Sequence, residues 1–299
     1  MPLPPLQPPR RRLVALMSMI RTVPAMVILG PALLLGNLIQ MLSVVVLPLS
    51  RRLFRLINRN VAAAWWGGCV HLARWLHGVK VVVTGDALPE GENTVVMANH
   101  QSMSDIPVIL DVASRNGRLG DLKWYVKDVL KWVPGIGWGM VFLDCLFIKR
   151  DWTEDKDKIE RVFRSIVSGN VPVWIVSFLE GTRIRPAKLQ ASQEFARTRQ
   201  LPVLRHLLIP RTKGFVATME GLRGHAHAVY DFTIGYVDAV PSLSQWALGY
   251  VRTVNVHIRR TPVAALPTGA EELAAWVMEQ YAAKDERLER YYRTGEMEA

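Results

Sequence analysis

Hydrophobic and polar positions divide this chain into two textures. From Thr22 to Ser50 no residue is charged, while Arg10, Arg11, Arg12 and Arg21 precede that run and Arg51, Arg52, Arg55 and Arg59 follow it. About twenty apolar residues suffice to cross a bilayer core, so the run predicts a membrane-embedded segment. The apolar core of a signal peptide has about 7–15 residues, so cleavage is not expected. Gly30-Pro31, Gly36 and Pro48 interrupt the run, which leaves a re-entrant hairpin open. Both flanks are basic, so the arginines do not orient it, and equal flanks suit a segment that dips in and returns. Residues 1–9 are rich in proline and predicted to be disordered. Beyond the run, Leu53, Leu56, Ile57, Trp65, Trp66, Val70, Trp75 and Leu76 alternate with Arg55, Arg59, His71 and Arg74. That mixture predicts an interfacial amphipathic helix, with a helix packed on the domain core as the alternative.

From Val79 onward the texture becomes short β-rich runs separated by helical stretches. Residues 79–84, 94–98, 124–126, 141–148, 171–177, 207–209, 230–237 and 254–258 predict strands. Residues 106–115, 154–168, 190–200 and 215–221 carry helical spacing or propensity. Continuous apolar strands alternating with helices predict the α/β class: a mixed, mostly parallel sheet covered by helices, with an N-terminal membrane-embedded helical segment. The expected division is a disordered basic N-terminus (1–21), membrane-embedded and interfacial helices (22–78), a catalytic domain (79–262) and a C-terminal helical segment (263–299). The helix expected over Ala270 to Tyr292 is rich in Glu, Arg and Lys and reads as a solvated, partly packed face.

Composition narrows the class of partner. The net charge is +11, so an anionic partner is expected: nucleic acid, anionic lipid or an acidic carrier protein. Cys69 and Cys145 lack metal-ligand spacing and fit a reduced compartment. His225-x-His227 is the only close histidine pair and has no cysteine nearby, so no metal is expected. Neither a Gly-x-Gly-x-x-Gly nor a Walker-type loop occurs, and no cofactor is expected.

Two stretches carry candidate chemistry. Asn99-His100-Gln101-Ser102-Met103-Ser104-Asp105 lies between two apolar runs, at a strand-to-helix corner. If the corner is tight, Asp105 can take the proton on one ring nitrogen of His100 and leave the other as a base. Alone, the pair reads rather as a surface histidine and an N-cap aspartate sharing a loop. Ser102 and Ser104 read as corner or N-cap residues. The second stretch, Phe178-Leu179-Glu180-Gly181-Thr182-Arg183, follows a very apolar strand. Gly181 permits close backbone approach, Thr182 offers a hydroxyl and Arg183 a bidentate fork for phosphate. Further cations follow, from Arg185 to Lys213, but aromatics are not interleaved with them as single-strand stacking requires, so nucleic acid is not expected.

Together these residues resemble the glycerophospholipid acyltransferase family, of the 1-acylglycerol-3-phosphate acyltransferase type. Its Asn-His-x-x-x-x-Asp motif is present as Asn99, His100 and Asp105. Its second motif is similar to Phe147-Ile148-Lys149-Arg150. Its third, Phe-Pro-Glu-Gly-Thr-Arg, matches Phe178 to Arg183 with Leu179 in place of proline. Its fourth, an apolar run ending in proline, resembles Leu207 to Pro210. The order and separations match over roughly residues 80–260. The stretch Pro210 to Phe215, Leu179, and Trp276 with Lys284-Asp285-Glu286 resemble the branch of lysocardiolipin-type acyltransferases and their bacterial relatives.

The resemblance implies acyl transfer from acyl-CoA or acyl-carrier protein to the free hydroxyl of a lysophospholipid. His100 is the implied base, Asp105 its orienting group and Lys127 the candidate donor to the oxyanion. Asn99, Arg150, Glu180, Gly181, Thr182 and Arg183 are implied in substrate binding, with Glu180 orienting Arg183 or a glycerol hydroxyl. No Gly-x-Ser-x-Gly elbow occurs, so no serine nucleophile is expected. Anionic membrane lipids are further expected partners. The implied location is the bacterial inner membrane, with the catalytic domain on the cytoplasmic side. A transacylase with the same dyad, or a non-catalytic membrane-surface module, are the rival expectations.

Overall fold

A computed structural model describes residues 3–9, 12–149, 152–237 and 239–297. Its first element, α1 (Arg12–Leu42), is one unbroken helix despite Pro24 and Pro31. It therefore starts ten residues before the uncharged run and passes Gly30-Pro31 and Gly36 without turning back. A short 3-10 turn (Ser43–Val46) leads to α2 (Arg51–His77), so the reversal falls after Leu42. Ser50 caps α2 by accepting from the Leu53 N–H (3.1 Å), and Gly78 ends it in the left-handed region (φ 63°).

The helix α2 is bound to the α/β body rather than standing free as an interfacial element. Ala62, Trp66 and Val70 form a buried stripe at helical spacing and join the main core. Three arginines read above as interfacial cations are anchored to the body. Arg55 pairs with Asp144 (3.2 Å), Arg59 with Asp121 (2.5 Å) and Arg74 with Asp111 (2.6 Å). The alternative reading of this stretch, a core-packed helix, is the one realised.

The body is built on β1 (Lys80–Gly85), β2 (Thr94–Ala98), β3 (Leu122–Lys127), β4 (Leu146–Ile148), β5 (Trp174–Phe178), β6 (Ala228–Tyr236) and β7 (Thr253–Pro262). They form one sheet in the order β1-β7-β6-β2-β5-β3-β4. The five strands from β6 to β4 are mutually parallel, and β7 runs antiparallel to β6. Every residue of β2 and β6 is buried, as expected for central strands covered on both faces. On one face lie α2 and α3 (Asp105–Arg115). On the other lie α5 (Trp152–Ser168), α7 (Thr212–Leu222) and α9 (Ala270–Thr294). The remaining helices are α4 (Ile136–Val141), α6 (Pro186–Thr198) and α8 (Leu243–Ala247).

Three elements differ from the sequence reading. Leu207–Ile209 is buried but pairs with no strand: the Leu208 N–H goes to the Glu180 carboxylate and the Ile209 N–H to Ser192 Oγ. Side chains there replace a ladder, so hydrophobicity alone misled. Residues 141–145 close α4 and turn through Asp144, which has a positive φ of 56°. Lastly, α9 buries Leu273, Val277, Tyr281, Lys284, Asp285, Leu288 and Tyr291, so this helix is a core element despite its charge.

Residues 3–7 also make contacts. Leu6 N–H donates to Val240 O (2.9 Å), and Gln245 donates to Leu6 O (2.8 Å).

Trp66 tests the docking of α2. Burial of this side chain predicts that Trp66→Ala costs about 3–5 kcal/mol, read as a lowered midpoint of urea unfolding in detergent. A loss below about 1 kcal/mol would show that α2 is not part of the core.

Candidate active site

The chain leaves β2 into α3 on one face of the sheet and leaves β5 towards α7 on the other. In open α/β sheets such a divergence creates a crevice beyond the strands' carboxyl ends. Asn99 and His100 follow β2, Leu179 to Arg183 follow β5, Lys127 ends β3 and Tyr236 ends β6, all at this one edge.

Backbone constraints fix the corner after β2. Asn99 replaces a ladder rung, donating to Ile234 O (3.0 Å) and accepting from Ile234 N–H (2.8 Å). His100 is held on four sides. Its N–H donates to Glu180 Oε1 (2.8 Å), and its carbonyl accepts from Ile184 N–H (3.0 Å). Its ring stacks on Phe178 with centroids 4.0 Å apart, and its Nδ1 lies 2.9 Å from Asp105 Oδ2. The ring is 12% exposed while Asp105 is fully enclosed, so the ring edge opposite Asp105 is the reachable part of the pair.

Asp105 heads α3 and is saturated with donors. Besides His100, Oδ2 accepts the N–H groups of Gln101 (2.7 Å) and Ser102 (2.9 Å), and Oδ1 accepts the Tyr236 hydroxyl (2.7 Å). Burial, with Asp105 beside it, holds the Tyr236 hydroxyl well above its usual value, so it stays a donor. With Nδ1 engaged by Asp105, Nε2 is the ring nitrogen left able to take a proton. Ser104 occupies the N-cap position of α3 without capping it. Instead the hydroxyls of Ser102 and Ser104 both donate to Pro241 O, tying the corner to the loop after β6. Tyr236 carried no sequence signal, since 131 positions separate it from Asp105.

Glu180 is enclosed beneath His100. Its two oxygens accept the N–H groups of His100 (2.8 Å) and Leu208 (3.1 Å), so it ties three motif segments together. Burial pushes it from 4.5 up to about 8, against the pull of those donors and of Lys284. Asn99 and Glu180, both expected on substrate, thus have their side chains engaged by the protein's own backbone.

The remaining implied residues face outward. Gly181 has a φ of 67°, a conformation that favours glycine, and a Cβ there would lie 3.1 Å from the Arg211 side chain. Thr182 Oγ1 accepts from Lys188. Lys127, Arg183 and Arg211 are exposed, and no described carboxylate pairs with them. Lys127 stands two strands from His100, roughly 10 Å by strand spacing. Arg150 lies outside the described residues. The distant His225 bonds to Val171 O (2.7 Å) and Asn93.

Comparison with known proteins agrees with this architecture. Residues 80–237 match the family described as Acyltransferase, and residues 248–299 the one described as Acyltransferase C-terminus. The chain is 37% identical over 265 residues to 1-acyl-sn-glycerol-3-phosphate acyltransferase 2 of Brassica oleracea, covering 86% of this chain and 68% of that protein. It is 33% identical over 271 residues to lysocardiolipin acyltransferase 1 of Danio rerio, covering 89% and 69%. Among solved structures, the fold is similar to the 1-acyl-sn-glycerophosphate acyltransferase of Thermotoga maritima. That match has a TM-score of 0.54 at 19% identity and covers 92% of this chain and 98% of the other. The family match and these relatives make the protein an enzyme, an acyltransferase. It belongs to the acyltransferase family, in the 1-acylglycerol-3-phosphate O-acyltransferase type.

Removing the Tyr236 hydroxyl isolates its part in the dyad. A hydrogen bond to a charged group contributes about 1.5–3 kcal/mol, so Tyr236→Phe should lower kcat by roughly 10–100-fold with the melting temperature near wild type. A kcat unchanged within twofold would remove Tyr236 from the site.

Proposed function

We propose that this protein acylates the free hydroxyl of 1-acylglycerol-3-phosphate at a membrane surface, using a thioester, acyl-CoA or acyl-carrier protein, as donor. The observation that carries this reading is the reachable ring edge of His100, backed by Asp105 and set beside the Gly181–Arg183 corner. His100 Nε2 takes the hydroxyl proton as the acceptor oxygen attacks the thioester carbonyl. The tetrahedral adduct then collapses, the C–S bond breaks and the departing thiolate takes the proton back. Lys127 is our candidate donor to the oxyanion, a contribution that can reach roughly 3–4 kcal/mol. Arg183, the Gly181 and Thr182 corner, and Arg150 are our candidates for the acceptor's phosphate. Asn99 and Glu180 serve binding by holding the corner's shape.

Membrane attachment is supported by surface chemistry. Leu13–Val46 has a mean hydropathy of 1.9 and is long and apolar enough to cross a bilayer, yet most of its apolar side chains face outward. Beside it, Gln40 donates to Gly139 O, and exposed Val129, Trp132, Val133, Ile136, Trp138 and Val141 extend the apolar surface onto the body. The cytoplasmic face of a bacterial inner membrane is our choice of location, since both donors are cytosolic; the two sequence relatives named above are a plant and an animal protein.

Purified protein supplied only with acyl-CoA and lysophosphatidate should form phosphatidate, and activity that requires an added phospholipid donor would favour a transacylase. His100→Ala should lower kcat by about 10²–10⁴-fold without weakening vesicle binding; a mutant keeping most of the rate would end the base assignment. Arg183→Ala should raise the Michaelis constant of the acceptor roughly 10–100-fold and leave that of the donor within threefold. Equal rises in both would argue against a phosphate seat.

A further inference from the structure

The acyl-transfer steps above give no work to the stretch from Pro210 to Phe215, yet its first cation is built into the catalytic corner. The Arg211 N–H donates to Leu179 O (2.7 Å), which sets this stretch against the turn after β5. Its side chain then lies over Gly181. A Cβ there would meet Arg211 Cδ at 3.1 Å, Nε at 3.2 Å and Cζ at 3.5 Å. The guanidinium thus rests on the one residue of the corner with no side chain to displace it. Arg211 is exposed, and among the described residues no carboxylate pairs with it.

Residues 178–184 wrap His100. Phe178 stacks on its ring, Glu180 accepts its N–H, and the Ile184 N–H donates to its carbonyl. Arg211 leans on the middle of that wrap, and Arg183 is exposed two positions beyond Gly181. Two cations on one short turn repel each other, and an anion shared by them relieves that cost.

Chemistry decides which anion fits. In 1-acylglycerol-3-phosphate the free hydroxyl sits on the carbon next to the one that bears the phosphate. A phosphate whose hydroxyl reaches His100 must therefore lie close to His100. In acyl-CoA and acyl-carrier protein the whole pantetheine arm separates the thioester from the first phosphate. Cations at this corner accordingly suit the acceptor rather than the donor. A phosphomonoester carries about −1.5 to −2 charges at pH 7 on three terminal oxygens. One arginine fork takes up two oxygens, which leaves a third oxygen and further charge for a second fork. A phosphodiester has only two terminal oxygens and a single charge, which one fork satisfies.

We propose that Arg211 is a specificity-determining residue, the second fork of the acceptor's phosphate seat, which selects a phosphomonoester over a phosphodiester headgroup. The assignment rests on the acyl-transfer reading of His100 and on Arg183 as the first fork.

The test compares wild type, Arg211→Gln and Arg185→Gln, the last removing an exposed cation two positions beyond Arg183 as a control for general surface charge. Michaelis constants are measured with acyl-CoA as donor, against lysophosphatidate, a monoester, and lysophosphatidylglycerol, a diester. Arg211→Gln should raise the lysophosphatidate constant roughly 10–100-fold. The constants for lysophosphatidylglycerol and acyl-CoA should stay within about threefold. Arg185→Gln should leave the ratio between the two acceptors as in wild type. Equal rises for both acceptors, a rise for acyl-CoA instead, or the same change in Arg185→Gln would each overturn the proposal. Calorimetry in donor-free detergent micelles, where no turnover occurs, should show Arg211→Gln losing affinity for lysophosphatidate and keeping it for lysophosphatidylglycerol. A wild type that forms no phosphatidate would count against the proposed function, while donor-free binding would still decide the role of Arg211. An Arg211→Gln protein that melts well below wild type would make the side chain a prop for the corner, and would equally overturn the proposal.

Discussion

A carboxylate shut away from water must find donors inside the protein, and at Glu180 the donors are two backbone amides from segments far apart in the chain. The cost of burying that group is what makes the contact informative. It fixes the height of His100 above the sheet and the path of Leu207–Pro210 at once. Ile184 closes the arrangement by donating to the His100 carbonyl. The stacking of Phe178 on the imidazole and the placing of Asp105 both presuppose a His100 backbone that does not move.

The division of labour at the corner follows from burial. Groups beneath the sheet edge, Asn99, Asp105 and Glu180, make bonds to backbone or to one another and shape the loop. Those above it, Lys127, Arg183 and Arg211, are exposed cations without a described carboxylate partner. The histidine sits at the boundary between the two sets. Such layering separates the groups that need a low dielectric from those that must exchange substrate with water.

Much of this was legible in the sequence, and the failures share a cause. The pair His100 and Asp105, the glycine at 181 and the alternation of strands and helices depend on local spacing, which a chain displays directly. Tyr236 acts on Asp105 across 131 positions, and nothing local marks it. Leu207–Ile209 looked like a strand because its burial is real, while the partners for its N–H groups are side chains that no β pattern encodes. The arginines of α2 looked solvated because their aspartates, at 111, 121 and 144, lie in another part of the chain. Charge on α9 likewise suggested an exposed helix, although Lys284 and Asp285 face inward.

The placement of β6 also sets a timetable for synthesis. His100 and Asp105 are made before the residues that complete their hydrogen bonds. Tyr236 follows Asp105 by 131 positions, on the strand that receives Asn99. Contacts this distant along the chain form slowly and late. A chain under synthesis therefore carries both members of the His100–Asp105 pair before it can hold them in place.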